Sequence, residues 1–169
     1  MLTAQDIADA LDGDRGEIRD PDTGLAFTWS TEYDHDTQVT DFDCYGNFSE
    51  GYSYTANPPN RPEHFTGAAC KIEYDRGSWL WWQPPADIPQ ADIPAFRSHV
   101  RDILEQGFYL LALDVTEEVE SKHLPGLFLP VRIDAAAMGA IEPSSDPAYL
   151  RTIAEDLAGE MLSRLPAYN

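Results

Sequence analysis

The sequence predicts an α+β fold: a mostly antiparallel, twisted sheet with two main helices packed on it and a short helix at the N-terminus. Three observations carry this reading. Residues 17–83 fall into short β-forming runs separated by hairpin-type turns. Two later stretches, near 92–106 and 146–165, space their apolar residues helically. Two further strand-like runs, 108–120 and 127–133, lie between those helices. A chain of 169 residues can bury a core without staples and is read as a single domain, 1–169. Its parts are a helix and turn (1–15), a β-rich part (16–83) and a helix–strand–strand–helix part (84–169).

Taken in order, residues 3–11 form a short helix. Thr3 is its N-cap, Ile7, Ala8 and Leu11 line one side, and Asp12-Gly13-Asp14 stops it. GLAFTWSTEY (24–33) alternates as a strand should. TQVTDFDCY (37–45) reads as the next strand, joined through a hairpin turn at Asp34-His35-Asp36, with Val39 on the opposite parity from Thr40, Phe42 and Cys44. Residues 46–67, rich in Gly, Asn, Ser and Pro, form a long loop. ACKIEY (69–74) and SWLWWQ (78–83) make a second hairpin across Asp75-Arg76-Gly77. Trp79 and Trp81 then share one face, Leu80 and Trp82 the other, so at least one bulky face must be covered or must bind something.

PPADIPQADIP is a stiff connector. Asp92 caps a helix to about Gln106, with Pro94 in its first turn, Gly107 as its stop, and Phe96, Val100, Ile103 and Leu104 as its buried stripe. FYLLALDVTEEVE (108–120) is a strand that starts buried and ends in solvent. LFLPVRI (127–133) is a shorter one, and Pro130 marks it as an edge or a bulge. Asp146-Pro147 opens the last helix, where Leu150, Ile153, Leu157, Met161 and Leu165 share a face. Arg151–Glu155 and Glu160–Arg164 are its i,i+4 pairs.

Charge is the strongest functional signal. The chain holds 18 Asp and 12 Glu against 9 Arg and 2 Lys, a formal charge of −19. Aromatic residues at 11% and hydrophobic residues at 43% separate it from disordered acidic chains, so a folded body with a negative shell is expected. Such a shell disfavours direct contact with nucleic acid or anionic membranes, which need clustered Lys and Arg. Codon composition, adaptation to salt and the binding of a basic partner are the three sources of acidity open at this point.

No sequence motif supplies a reaction. The histidines at 35, 64, 99 and 123 are scattered, and no zinc, nucleophile-elbow or phosphate-loop spacing occurs. Read as a calcium loop from Asp12, the sixth position is Glu17 and the twelfth Thr23, so the match fails. Cys44 and Cys70 fit no metal spacing and read as free thiols of a cytosolic protein. The N-terminus lacks a signal-peptide pattern, and the longest apolar run, 108–113, is too short to span a bilayer. No cofactor and no metal are expected.

The candidate surface is therefore acidic. Asp34, Asp36, Asp41 and Asp43 cluster around the first expected hairpin. Asp114, Glu117, Glu118 and Glu120 follow the long apolar strand, and the last helix adds Glu155, Asp156 and Glu160. Core packing is the default reading of the three tryptophans, and the sharper one makes Trp82 an aromatic anchor beside these acids. The Trp strand or a free sheet edge could also form a twofold homodimer interface.

Three stretches, EYDRGSWLWW (73–82), GFYLLALDVTEEVES (107–121) and DPAYLRTIAEDLAGEML (146–162), together resemble small, acidic, uncharacterised accessory proteins of bacterial tailed phages. The shared pattern is an Asp-Arg-Gly-Ser segment and a helix before a Gly-aromatic-Tyr strand, then a closing Tyr-Leu-Arg helix. It covers roughly the C-terminal half. The resemblance implies a phage or mobile-element origin and a bacterial host cytoplasm, and brings no catalytic residues with it. Charge and resemblance together give the expected function. It is a non-enzymatic, DNA-mimic-like protein that occupies the basic nucleic-acid-binding surface of a host defence factor, as anti-restriction and anti-CRISPR proteins do. Two alternatives stand beside it. One is a metal-dependent enzyme or small-ligand binder using the Asp34–Asp43 cluster; the other is an acidic housekeeping domain with no charge-specific role.

Overall fold

Thr3 accepts a hydrogen bond from the Asp6 N–H at 3.1 Å, and Asp6 answers the Thr3 N–H at 2.8 Å, so a capping box opens the first helix as the sequence leads one to expect. A computed structural model of the chain describes residues 1–11, 13–51 and 60–166. Asp12 of the expected turn, and 52–59 of the expected long loop, lie outside the described residues. In chain order the elements are α1 (Ala4–Asp9), β1 (Arg15–Arg19), β2 (Ala26–Asp34), 3₁₀ turns at Val39–Asp41 and Asp43–Tyr45, and β3 (Asn47–Phe48). Then come β4 (Cys70–Tyr74), a 3₁₀ turn at Asp75–Gly77, β5 (Ser78–Gln83), α2 (Ile93–Gln106), β6 (Phe108–Glu120), β7 (Phe128–Ile141) and α3 (Pro147–Arg164). The fold is α+β, with two antiparallel sheets where the sequence suggested one. Two compact units result: Met1–Asp34 with Tyr109–Asn169, and His35–Phe108.

The first unit contains a four-stranded sheet in the order β1-β2-β6-β7. The odd-numbered side chains of β6, Leu111, Leu113 and Val115, lie on its inner face with Phe27 of β2. Ile153, Ala154, Leu157, Ala158 and Met161 of α3 pack on them together with Ile7 and Ala8 of α1. A six-residue helix is marginal alone, and α1 persists by burying Ile7 and Ala8 in this cluster. Gly16 of β1 stands opposite Trp29, where a Cβ would fall 1.9 Å from the indole, so only glycine lets the ring lie flat across β1. β1 itself has one apolar residue, Ile18, among charged ones, which is why its strand character is faint in the sequence.

β7 runs for 14 residues, twice the expected 127–133. Its second half, Ala-Ala-Ala-Met-Gly-Ala, carries no β-propensity of its own and is strand because β6 supplies the ladder. Pro130 sits on this edge strand, as its missing N–H requires. Two irregularities bend the ladder: Ile133 is an extra residue between Arg132 and Asp134, and Gly139 with Ala140 oppose the single residue Leu110.

The second unit contains the sheet β3-β5-β4 with α2 against β4. The expected β4–β5 hairpin forms across Asp75-Arg76-Gly77, with Cys70 opposite Trp82 and Tyr74 opposite Ser78. Ile72, Leu80 and Trp82 form the inner face, meeting Val100 and Ile103 of α2. Asp92 occupies the N-cap place of α2 through its carbonyl, which accepts from the Phe96 N–H, and not through the expected carboxylate cap.

The strand expected at 37–45 is absent; two 3₁₀ turns replace it. The reason is legible in hindsight. Val39, Phe42 and Tyr45 recur every three residues, the 3₁₀ repeat, and Val39 and Tyr45 are the buried members. The parity conflict at Val39 was the sign that a period of two does not hold there.

Candidate interaction surface

Two of the expected surface residues are interior. Trp82 is 0% exposed: its ring packs among Val100, Ile103 and Phe108, and its Nε1–H donates to the Tyr45 carbonyl at 2.7 Å. An indole whose one donor is satisfied inside the core is structural, and it presents nothing to a partner. Asp34 is 7% exposed. Its Oδ2 accepts the Ala140 N–H at 2.9 Å, across 106 residues of sequence, and stands 2.4 Å from where a Cβ on Gly139 would be. Ala140 has φ +58°, a strained value for a residue with a side chain. The carboxylate thus pins the strained bulge of β7.

Asp36, Asp41 and Asp43 are exposed. Asp41 accepts the Gln38 N–H at 2.8 Å and so caps its own turn. The strand that was to align Asp41 with Asp43 does not exist, so the geometric basis for a convergent Asp34–Asp43 site is gone. Among the described residues, no group of three or more His, Cys, Asp or Glu side chains is placed to hold a metal ion. Cys44 and Cys70 are free thiols. Burial pushes the Cys70 thiol above its usual range, with Arg97 pulling weakly the other way, so Cys70 is not held as a nucleophilic thiolate.

The carboxylates of β6 do come together. Asp114, Glu118 and Glu120 alternate along its outer face, while Glu117 shares the inner face with Val119 beyond the end of the core. Asp114 pairs with Arg132 at 3.3 Å and Glu118 with Arg19 at 3.6 Å, and Glu120 accepts the Gly126 N–H at 2.7 Å. These ion pairs are exposed, so little free energy opposes their exchange for another cation. On α3, Glu155 and Asp156 project from the face opposite Ile153 and Leu157. Glu160 is shared with Arg164, which also donates to Asp134 at 2.9 Å. That guanidinium holds the Asp134 carboxyl below the usual carboxylate range. The expected Arg151–Glu155 pair gives way to Arg151–Asp9 at 3.5 Å, which ties α3 to α1.

The acids divide unevenly. The first unit holds 19 acidic and 6 basic side chains and the second 11 and 5, giving formal charges of −13 and −6. The basic residues of the second unit include Arg97 and Arg101, which line a cleft of about 350 Å³ with Glu73 and Ser98. Arg101 is engaged by Asp102 at 3.1 Å and by Glu105 at 4.0 Å, and Arg97 donates to the Lys71 carbonyl.

One set of residues escaped the sequence reading. Val119, Leu124, Leu127, Phe128, Leu129, Val131, Ile133 and Met138 are all 40–60% exposed, and all but Met138, which stands opposite Leu111, lie on or between the outer ends of β6 and β7. The signal that could have found them is the span from Ser121 to Ile133, the longest stretch of the chain without an acid.

Among the described residues no helix is long and apolar enough to cross a membrane. Comparison with family models, curated proteins and solved structures finds no match.

Proposed function

We propose that this chain is a non-enzymatic acidic interaction protein that occupies a basic, nucleic-acid-binding surface of a host factor. In this reading it acts as a DNA-mimic-like inhibitor of a defence system. The phage or mobile-element origin that the sequence resemblance implies makes a restriction or CRISPR-type effector in a bacterial cytoplasm the natural target.

The observation that carries the reading is the carboxylate row of β6, Asp114, Glu118 and Glu120, on the unit that bears −13. Glu118 and Glu120 are alternate residues of the strand and lie about 6.7 Å apart, and Asp114, beyond Thr116, lies about twice that distance from Glu118. The shorter spacing is about twice the 3.4 Å at which charges recur along one strand of duplex DNA. A cationic channel built to neutralise phosphates therefore finds acids at a commensurate spacing, on a rigid ladder that needs no ordering on binding. Glu117 and the α3 acids Glu155, Asp156 and Glu160 add to the field that steers a basic partner toward the unit.

The test is displacement. A fluorescent duplex bound to each of a panel of purified restriction and CRISPR effectors is titrated with the full chain. Release of the duplex is expected for at least one effector at about 0.1 M NaCl, weakening steeply by about 0.5 M. Replacing Glu117, Glu118 and Glu120 together by Gln should weaken that release by about tenfold or more, while the fold stays intact. If no effector gives up its duplex, or if salt and the Gln variant leave displacement unchanged, the reading is wrong.

A further inference from the structure

We propose that β7 is a dimerisation edge. A second copy of this chain pairs its own β7 antiparallel to the first, about a twofold axis, and joins two four-stranded sheets into one of eight strands.

β7 ends the order β1-β2-β6-β7, and no strand among the described residues pairs with its outer side. Its 14 residues far exceed the usual strand of about 5–6. Monomeric proteins protect such edges with charge, proline or a covering element. Here protection is thin. Arg132 and Asp134 are the charged residues of the strand, and both turn to partners in their own chain, Asp114 and Arg164. Pro130 deletes one donor and leaves the rest.

Area points the same way. Phe128, Leu129, Val131 and Ile133 on β7, with Val119, Leu124 and Leu127 at the same end of the hairpin, together expose on the order of 600 Å². That is the upper end of what a monomer leaves in water, and it approaches the roughly 800 Å² per partner of a stable interface. The flat run from Ala135 to Ala137 lets a neighbouring backbone approach closely.

Charge selects the occupant. A basic ligand is drawn to the carboxylates of β6, which stand on the ladder side of β7 opposite Val131, Pro130 and Phe128 and not on its free edge. A neutral apolar edge matches another neutral apolar edge, and a twofold axis supplies one by symmetry. On β7 the one acid, Asp134, is held by Arg164 of its own chain and Arg132 offsets it, so two chains of −19 meet along strands whose formal charge is zero. Their remaining acids still repel, so the dimer is stronger in high salt. That is the reverse of the salt dependence of the acidic contact proposed above, and the two readings fail independently.

Sedimentation equilibrium of the full chain from about 1 to about 200 µM tests this. A monomer–dimer equilibrium is expected, tightening severalfold between about 0.05 and about 0.5 M NaCl. Val131→Lys and Leu129→Glu, both at exposed positions, should each weaken it by more than about tenfold with thermal melts unchanged. In a Cys44→Ser background, Ile133→Cys should oxidise to a covalent dimer, while Thr152→Cys on α3 stays monomeric. A monomer at every concentration and salt leaves the edge to some other protein and overturns the proposal. So does a dimer that ignores the β7 substitutions or weakens with salt.

Discussion

The two units solve the same problem, a helix laid on an antiparallel sheet, with different materials. The second unit fills its core with rings: Trp82, Phe108 and Tyr45 are buried, and Phe96 and Phe42 pack against them. The first relies mostly on Leu, Ile, Val and Ala, with Phe27 and Trp29 as its buried rings and Ala154 and Ala158 among the α3 residues in its core. The first also carries twice the charge, −13 against −6, and both fully or nearly buried carboxylates, Asp20 and Asp34. The difference shows where each unit is vulnerable. A ring-filled core depends on volume. A mostly aliphatic core under heavier self-repulsion depends also on polar pins, because each buried carboxylate must keep the backbone donors it was folded around.

The sharpest way to break the comparison is Trp82→Ala. Loss of the largest buried side chain should cost about 3–5 kcal/mol, measured by urea denaturation, with Trp82→Phe recovering part of it. A loss under about 1 kcal/mol would mean the second unit does not rest on ring volume. Next is the pin of the first unit. Asp34→Ala strands the Ala140 N–H and removes the partner of a positive-φ residue, for about 1–3 kcal/mol. Gly139→Ala should approach the same cost by driving a methyl into the carboxylate. If both melt like the parent, the bulge holds itself.

The smallest effect concerns pH. The Asp134 carboxyl is lowered in the folded state, chiefly by the hydrogen bond from Arg164. The folded state therefore binds this proton less readily than the unfolded one. The pair contributes stability that is full above the unfolded carboxylate value near ~3.9 and is lost as pH falls through the folded value. Arg164→Met should lower the melting temperature modestly at pH 7, and that difference should shrink below about pH 4. A gap that stays constant with pH would assign the effect to packing of the arginine stem.

Much of this architecture could be read from the residues alone. α2 and α3 announce themselves by helical spacing behind Asp92-Ile-Pro and Asp146-Pro, and the β4–β5 hairpin by its turn and alternation. What failed did so for physical reasons. The 37–45 segment is rich in β-formers, but its burial repeats every three residues. The outer half of β7 is legible as strand, whereas its alanine half is strand only because β6 lies beside it. Glu117, Glu118 and Glu120 are exposed, as their place after the apolar run of β6 implied, and Asp114 within that run is half-buried. Trp82 and Asp34 were misjudged because sequence shows that a residue can anchor or bind, and not whether its polar atom already has a partner within the fold.

Between the carboxylate of Asp34 and the peptide it holds at Ala140, the sequence carries all of the second unit and then residues 109–139. A ribosome therefore delivers residues 35–108 as an uninterrupted piece before β6 and β7 exist to complete the sheet begun by β1 and β2. During that interval β2 has no neighbour on its β6 side, and only local contacts can hold the opening segment. The second unit, whose strands and helix are all close in sequence, is then the one able to form first during synthesis. The first waits for the last third of the chain.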